Sequence, residues 1–560
     1  MSTDPKHVRS KDEVPQFPPA PFVRPYPERP VSDPKDNASE KTLNQQPSEG
    51  ASHWQLLSPR GVVTNGILHS KEYEGSGTES DPYIISFLDN DPGDPKQLPR
   101  WKKWTIVATV SLVTFIAALG SSIYVGAITE VEEEFRISEE VAILGLSLYI
   151  LGFCVGPLIW APLSEFSGRQ VTLIASFIGF TAFNAGTIAA KNIAILVILR
   201  FFAGGFAACT FTNSNGNLAD IFDPAERGLA FGFYFATPIM GELRPILGPL
   251  IGGFLGTAAG WRWVMAFLTI FSGVGLACGA LLVPETFGPT LLHRRAKTLS
   301  RMTNKHYISN IEQKNGVVTA GAAFKKAATR PWQVMFTDPI VFLLALWISV
   351  TYGTLYLFVS GYPYVYQEAR GWNPGLGGLA LMGIGVGVLA ASAVNIPVSQ
   401  RFAKKAKANT AHPEVRLQPA MIGALFIPIG IFWFAWTNSP SIHWSSSVIA
   451  GSFFGFGMVV IWTSVNSYLT DAYKIYAASA LAGNVVMRSL FGAIFPLFTG
   501  YMYRGIGIHW ASSVPGFIAL SMAPLPYLFY IYGARIRAKS KWASKADMDT
   551  KALTEKKGSV

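Results

Sequence analysis

The sequence predicts an all-α membrane protein that crosses the bilayer twelve times, in two six-helix bundles. Three observations predict it. Half of the 560 residues are hydrophobic and only 14% are charged, against about 25% charged in a soluble domain. The apolar residues fall into long runs between Trp104 and Tyr532. One polar, basic stretch, 284–337, divides those runs into two equal sets, as a transporter built from two rocking bundles requires.

Residues 1–100 come first. They are polar and rich in Pro, Ser, Asp and Lys, and such a composition does not bury a core. A disordered cytoplasmic region is expected, dispensable for transport up to about Asp91. Its first residues do not form a cleavable signal sequence.

The spans follow at about 104–126, 140–162, 171–190, 194–219, 228–255 and 261–283, making a first bundle over 101–283. A second bundle over 338–534 holds 338–361, 374–402, 417–437, 443–469, 477–503 and 513–534. At 1.5 Å per residue each is long enough for about 30 Å of hydrocarbon. Residues 284–337 are then a cytoplasmic linker and 535–560 a cytoplasmic tail. Lys102, Lys103, Arg169, Arg294, Arg295, Lys404, Lys405, Arg535 and Arg537 all fall on the side of the N-terminus. The opposite loops hold few cations, and the first is acidic, with Glu130, Glu132, Glu133 and Glu134. This asymmetry places both termini and the linker in the cytoplasm.

The formal net charge of +11 is spread between the spans, so it sets topology and does not mark nucleic-acid binding. Cys154, Cys209 and Cys278 lie in apolar runs and read as packing residues. No phosphate-cradling glycine loop, metal cluster or nucleophile–base set stands out, so neither ATP-driven transport nor enzyme activity is expected, and no cofactor.

Several motifs carry more. After the second span comes Ala161-Pro162-Leu163-Ser164-Glu165-Phe166-Ser167-Gly168-Arg169. Gly168 suits a tight turn; Arg169 suits a carboxylate or helix-end carbonyls. The fourth span carries Arg200 before Ala203-Gly204-Gly205. A charge there costs about 2.5–3.5 kcal/mol on insertion scales and should face a cavity, a carboxylate or the interface. The fifth span holds Gly248-Pro249-Leu250-Ile251-Gly252-Gly253: a proline kink and glycines that admit a neighbouring helix. Glu242 and Arg244 precede it. By helix rise Arg200 and Glu242 lie at similar depth, so Glu242 is the candidate proton-coupling carboxylate, with Arg200 or Arg244 as partner. Burial raises such a pKa and a nearby Arg lowers it. In the second half Asn466, Asp471, Asn484 and Arg488 form a candidate polar network; Asp471 with Lys474 also reads as a solvated loop pair. Phe211, Asn213, Tyr234, Tyr352, Tyr356, Phe456 and Asn466 are candidate cavity residues, with core packing as the alternative.

The loop sequence resembles the Gly-x-Leu-x-Asp-x-x-Gly-Arg motif of the major facilitator superfamily, with Glu165 in the Asp position and Ala161 in that of the Gly. Leu199 to Gly205 resembles its helix-4 motif, and Gly248 to Gly253 its antiporter motif. With Asp91-Pro92, Pro284-Glu285-Thr286 and Asn466 to Phe498, the chain from about Asp91 to Lys541 is similar to the fungal twelve-spanning drug:proton antiporters. That resemblance implies the major facilitator fold and proton-coupled export of drugs, toxins, polyamines or secondary metabolites. It further implies a protein of the plasma or vacuolar membrane, acting as a monomer with substrate, protons and lipid as partners. Arg244-Pro245 stands where the family often has Gly-Pro. Uptake by symport, or a sensor that kept the fold, are the alternatives.

Overall fold

The computed structural model describes residues 53–58, 62–63, 67, 73–88, 91–223, 244–315, 320–407 and 412–545. The chain divides into units Met1–Pro47 and Ser48–Val560, and every described residue belongs to the second. Among the described residues ten helices are long and apolar enough to cross a membrane. The last, Ala477–Lys539, is broken at Gly507, where φ is 79°. Such a backbone value favours glycine and separates the eleventh span from the twelfth. With the shorter apolar helix Ile246–Ala259 the twelve expected spans are accounted for. The fold is all-α and membrane-spanning. Glu242 and Tyr234 lie outside the described residues, as does the Arg244 side chain.

Helix boundaries differ from the hydropathy reading at two places. The second span runs Glu139–Ser167 and the third begins at Arg169, so the expected loop motif is helical except at Gly168, with φ 98°. Polar residues there stay helical because they hydrogen-bond within the helix: Ser167 donates to the Leu163 carbonyl at 2.7 Å. The acidic outer segment is likewise helical. The first span ends at Ser122, passes through a tight 3-10 turn, Ile123–Ala127, and resumes as Ile128–Phe135.

Two apolar cores correspond to the two bundles. One extends from Leu98 to Val283 and receives Tyr356, Val359 and Ala493 from the second half. The other extends from Val334 to Ala543 and receives Ile246 of the fifth span. Large apolar side chains such as Ile178, Ile270 and Leu425 remain exposed around the outside, which suits a lipid-facing surface.

At the end bearing the linker, the polar segment before the first span is folded, against expectation. Strand β1 (Tyr83–Ile85) pairs in parallel with β2 (Tyr307–Ser309) of the linker. Asp91 grips Arg295 on linker helix Gly288–Thr303 with two hydrogen bonds, 2.5 and 2.9 Å, and Arg295 donates to the Val62 carbonyl at 3.0 Å. Asp91 and Arg295 are both almost fully buried. Tyr83–Ile85 and Asp91 are therefore ordered: a paired strand and a buried ion pair supply the stability that composition alone lacks. Removing one partner from such a pair costs about 3–5 kcal/mol. Asp91→Ala is expected to loosen the linker helix, read as faster tryptic cleavage at Arg294, Arg295 or Lys297 of the purified protein. Unchanged cleavage would show that the pair does not hold the linker.

Candidate functional site

Arg169 organises the linker-side end of the first bundle. Its Nε donates to Asp220 at 3.1 Å and its Nη1 to Ser164 at 2.8 Å. Its backbone N–H donates to Glu285 at 2.8 Å, and its guanidinium stacks 4.8 Å from the Phe287 ring. Gly216 leaves the room: a Cβ there would lie 2.5 Å from the guanidinium carbon. Asn213, expected in the cavity, is instead fully buried under this latch. It accepts from Ser164 and donates to the Arg169 carbonyl, each at 2.8 Å. Glu165 is exposed, so the acid partner of Arg169 is Asp220. The short interval between Glu165 and Arg169 suggested no distant partner, and only helix packing brings Asp220 in.

The second bundle repeats the device. Arg416, just before the ninth span, binds Asp471 at 2.8 Å, at the end of the tenth. The equivalent elements in the first half hold Arg169 and Asp220. Asp471 thus belongs to a latch between helices and not to a network with Asn484 and Arg488. Arg416 is the residue that reading along the sequence missed.

Arg200 is completely buried. Its Nε donates to the Gly145 carbonyl at 2.6 Å and its Nη2 to that of Gly120 at 3.0 Å. Tyr124 and Tyr149 flank it, with ring centroids 4.5 and 4.9 Å away. Among the described residues no carboxylate pairs with it. The carbonyls of Gly120 and Ser121 close the main helix of the first span, where unsatisfied acceptors and the negative helix end concentrate. Arg200 therefore caps the first span, and the expected exchange with Glu242 is not needed to satisfy it.

The antiporter-like motif forms a three-helix contact. A Cβ on Gly248 or Gly252 would overlap Ser122 or the Ile123 carbonyl of the first span. A Cβ on Gly253 would lie 2.6 Å from the Pro374 carbonyl, at the start of the eighth. Pro249 belongs to the same surface: its carbonyl would lie 2.6 Å from a Cβ on Gly378. Elsewhere between the bundles Arg504 donates to Glu139 at 2.7 Å, and the Tyr364 hydroxyl binds the same carboxylate. The two bundles are thereby closed on each other at the end away from the linker.

Between the seventh and tenth spans lies a small cleft lined by Ile348, Thr351, Tyr352, Met458, Ile461 and Trp462. Of the expected cavity residues, Tyr352 lines it. Tyr356 sits behind, buried, receiving a 3.4 Å hydrogen bond from Tyr352 and sharing one of 2.9 Å with Ser121 of the first span. Asn466 bonds the Trp462 carbonyl at 2.8 Å and accepts from Asn484 at 3.2 Å. Arg488 stacks on Tyr352 and Trp462, 4.5 and 5.7 Å from their centroids. Phe211 packs on Phe153, with centroids 4.9 Å apart, and Phe456 packs on Phe426, also at 4.9 Å. Neither is among the residues lining the cleft. Trp462 and Thr351 were missed, because nothing local distinguishes a cleft-lining face of an apolar helix from a lipid-facing one.

Comparison with known proteins agrees with this architecture. A sequence profile of the Major Facilitator Superfamily matches residues 110–496. The chain is 50% identical to the MFS-type efflux pump MFS2 of Trichophyton rubrum, over 88% of this chain and 83% of that protein. It is 48% identical to the major facilitator superfamily multidrug transporter mdrA of Aspergillus fumigatus, over 93% and 86%. The solved proton:xylose symporter XylE, at 16% identity and TM-score 0.57, covers 77% of this chain and is itself covered to 96%, a likeness of fold alone. The chain belongs to the major facilitator superfamily, with relatives among the fungal efflux transporters, and is a multi-pass membrane transporter and not an enzyme.

Proposed function

We propose that this transporter exports small organic compounds from the cytoplasm by alternating access, in exchange for protons. The observation that carries the reading is the glycine surface of the fifth span, wedged between the first and eighth spans. Bare backbone there lets two bundles close and part with little side-chain rearrangement. The efflux and multidrug names of relatives 48–50% identical support the direction of transport. The plasma membrane is the proposed location, with the monomer as the working unit.

Glu242 is the proposed coupling carboxylate. A group that must gain and lose a proton within the path needs no permanent partner, and Arg200 already has its own in the Gly145 and Gly120 carbonyls. The test is efflux into vesicles under an imposed proton gradient. Glu242→Gln is expected to lose pH-driven accumulation at least tenfold while downhill exchange continues. Wild-type pH dependence in this variant would place the coupling group elsewhere.

A further inference from the structure

Arg200 and Arg488, both inside the helical bundles, are satisfied very differently. Arg200 spends its donors on main-chain carbonyls. Arg488, on the eleventh span, has its Nε buried without a hydrogen-bond partner. Among the described residues no carboxylate forms an ion pair with it. Its guanidinium is held instead on the faces of Tyr352 and Trp462, and those two rings also line the cleft. One helical turn before it, the Oδ1 of Asn484 is likewise buried without a donor.

A cation–π cradle fixes the position and plane of a guanidinium but leaves its in-plane donors open. In a low-dielectric surrounding, an unmet charge and an unmet donor are both costly. A planar carboxylate meets both needs at once, accepting from the guanidinium edge with two parallel hydrogen bonds. Apart from Thr351 the walls of the cleft are otherwise apolar, with Ile348, Met458 and Ile461 beside the two rings. They fit a hydrophobic body, and a hydroxyl or amine on that body would satisfy Asn484.

We propose that Arg488 is the head-group site of the substrate cavity, so that this transporter selects organic acids: a carboxylate on an aromatic or aliphatic body. This rests on the export reading and narrows it. The cleft as it stands is far smaller than the roughly 300 Å³ of a small-ligand pocket, so the helices around it must part to admit such a molecule. The acidic head turns toward the eleventh span and the body lies between the seventh and tenth.

The test compares three ligands sharing one ring system: 2-naphthoate, 2-naphthalenemethanol and 2-naphthylmethylamine. Their binding to the purified full-length protein at neutral pH is measured by equilibrium dialysis. The wild type is expected to hold the acid roughly 10- to 100-fold more tightly than the alcohol or the amine, the scale of one charge-assisted hydrogen-bond pair. Arg488→Gln should erase that preference, and Arg488→Lys should restore part of it, because lysine keeps the charge and loses the fork. The wild-type comparison alone decides the matter if a variant fails to fold. The inference is overturned if the alcohol or amine binds as well as the acid, if none of the three binds, or if the preference survives Arg488→Gln. Flux in vesicles separates this from the broader reading. Export of the amine or alcohol without the acid refutes the acid site and leaves export standing. Binding of the acid without its movement does the reverse.

Discussion

Gly252→Leu is expected to abolish transport, by at least tenfold in initial efflux rate, while the protein still reaches the membrane. The reason is geometric. Gly252 faces the first span at the 3-10 turn Ile123–Ala127, where even a methyl group would overlap the Ile123 carbonyl and crowd Gly126. Main chain does not yield as a flexible side chain does, so the fifth span must move away from the first. Overpacking of this kind typically costs about 1–3 kcal/mol. That is comparable to the few kcal/mol separating two conformational states, enough to shift their balance. The displacement also disturbs Gly253, the next residue, at its contact with Pro374 across the bundle interface. The measurement is efflux per molecule at the surface. Gly273→Leu on the sixth span is the control, because nothing lies within 4 Å of a Cβ there. Normal flux in Gly252→Leu would mean that close approach of the first and fifth spans is not part of the cycle.

Arg200→Ala is expected to do more damage, to folding itself. The substitution removes the cap on the first span at Gly120 and Ser121 and the bond to Gly145 of the second. It also empties the space between Tyr124 and Tyr149. Hydrogen bonds to a charged donor contribute about 1.5–3 kcal/mol each, and a large-to-small change at a buried site costs about 2–5 kcal/mol. A combined loss of at least about 5 kcal/mol should appear as a melting temperature lowered by many degrees and as poor surface expression. Arg200→Lys should recover only part, since one ammonium cannot reach the carbonyls of two helices in the same geometry. The double variant with Glu242→Gln distinguishes the roles. If Arg200 acted as the counter-ion of Glu242, neutralising both would restore stability. With Arg200 bound to carbonyls, the double variant should be as unstable as Arg200→Ala. Rescue would reinstate the charge pair.

Much of this molecule was legible along the chain because the membrane imposes a local rule. Each segment that crosses hydrocarbon must be apolar and satisfy its own backbone, so hydropathy alone located the spans. The short motifs were legible for a similar reason. A run such as Gly248 to Gly253 states that something approaches closely, and the structure supplies what: Ser122, Ile123 and Pro374. Partner choice was not legible. The bonds from Arg169 to Asp220 and from Arg416 to Asp471 join residues more than 50 positions apart, and for Asp471 the sequence offered Lys474 as a nearer partner. β1 pairs with a linker strand more than 200 residues away, so a polar tail without a core gained order from elsewhere. Arg200 and Arg488 show the division most sharply. By sequence alone both are arginines within apolar spans, equally costly to insert. Tertiary packing gave one of them the carbonyls of two neighbouring helices and laid the other on the faces of two aromatic rings, because hydropathy records the cost of burying a charge but not which neighbour meets it.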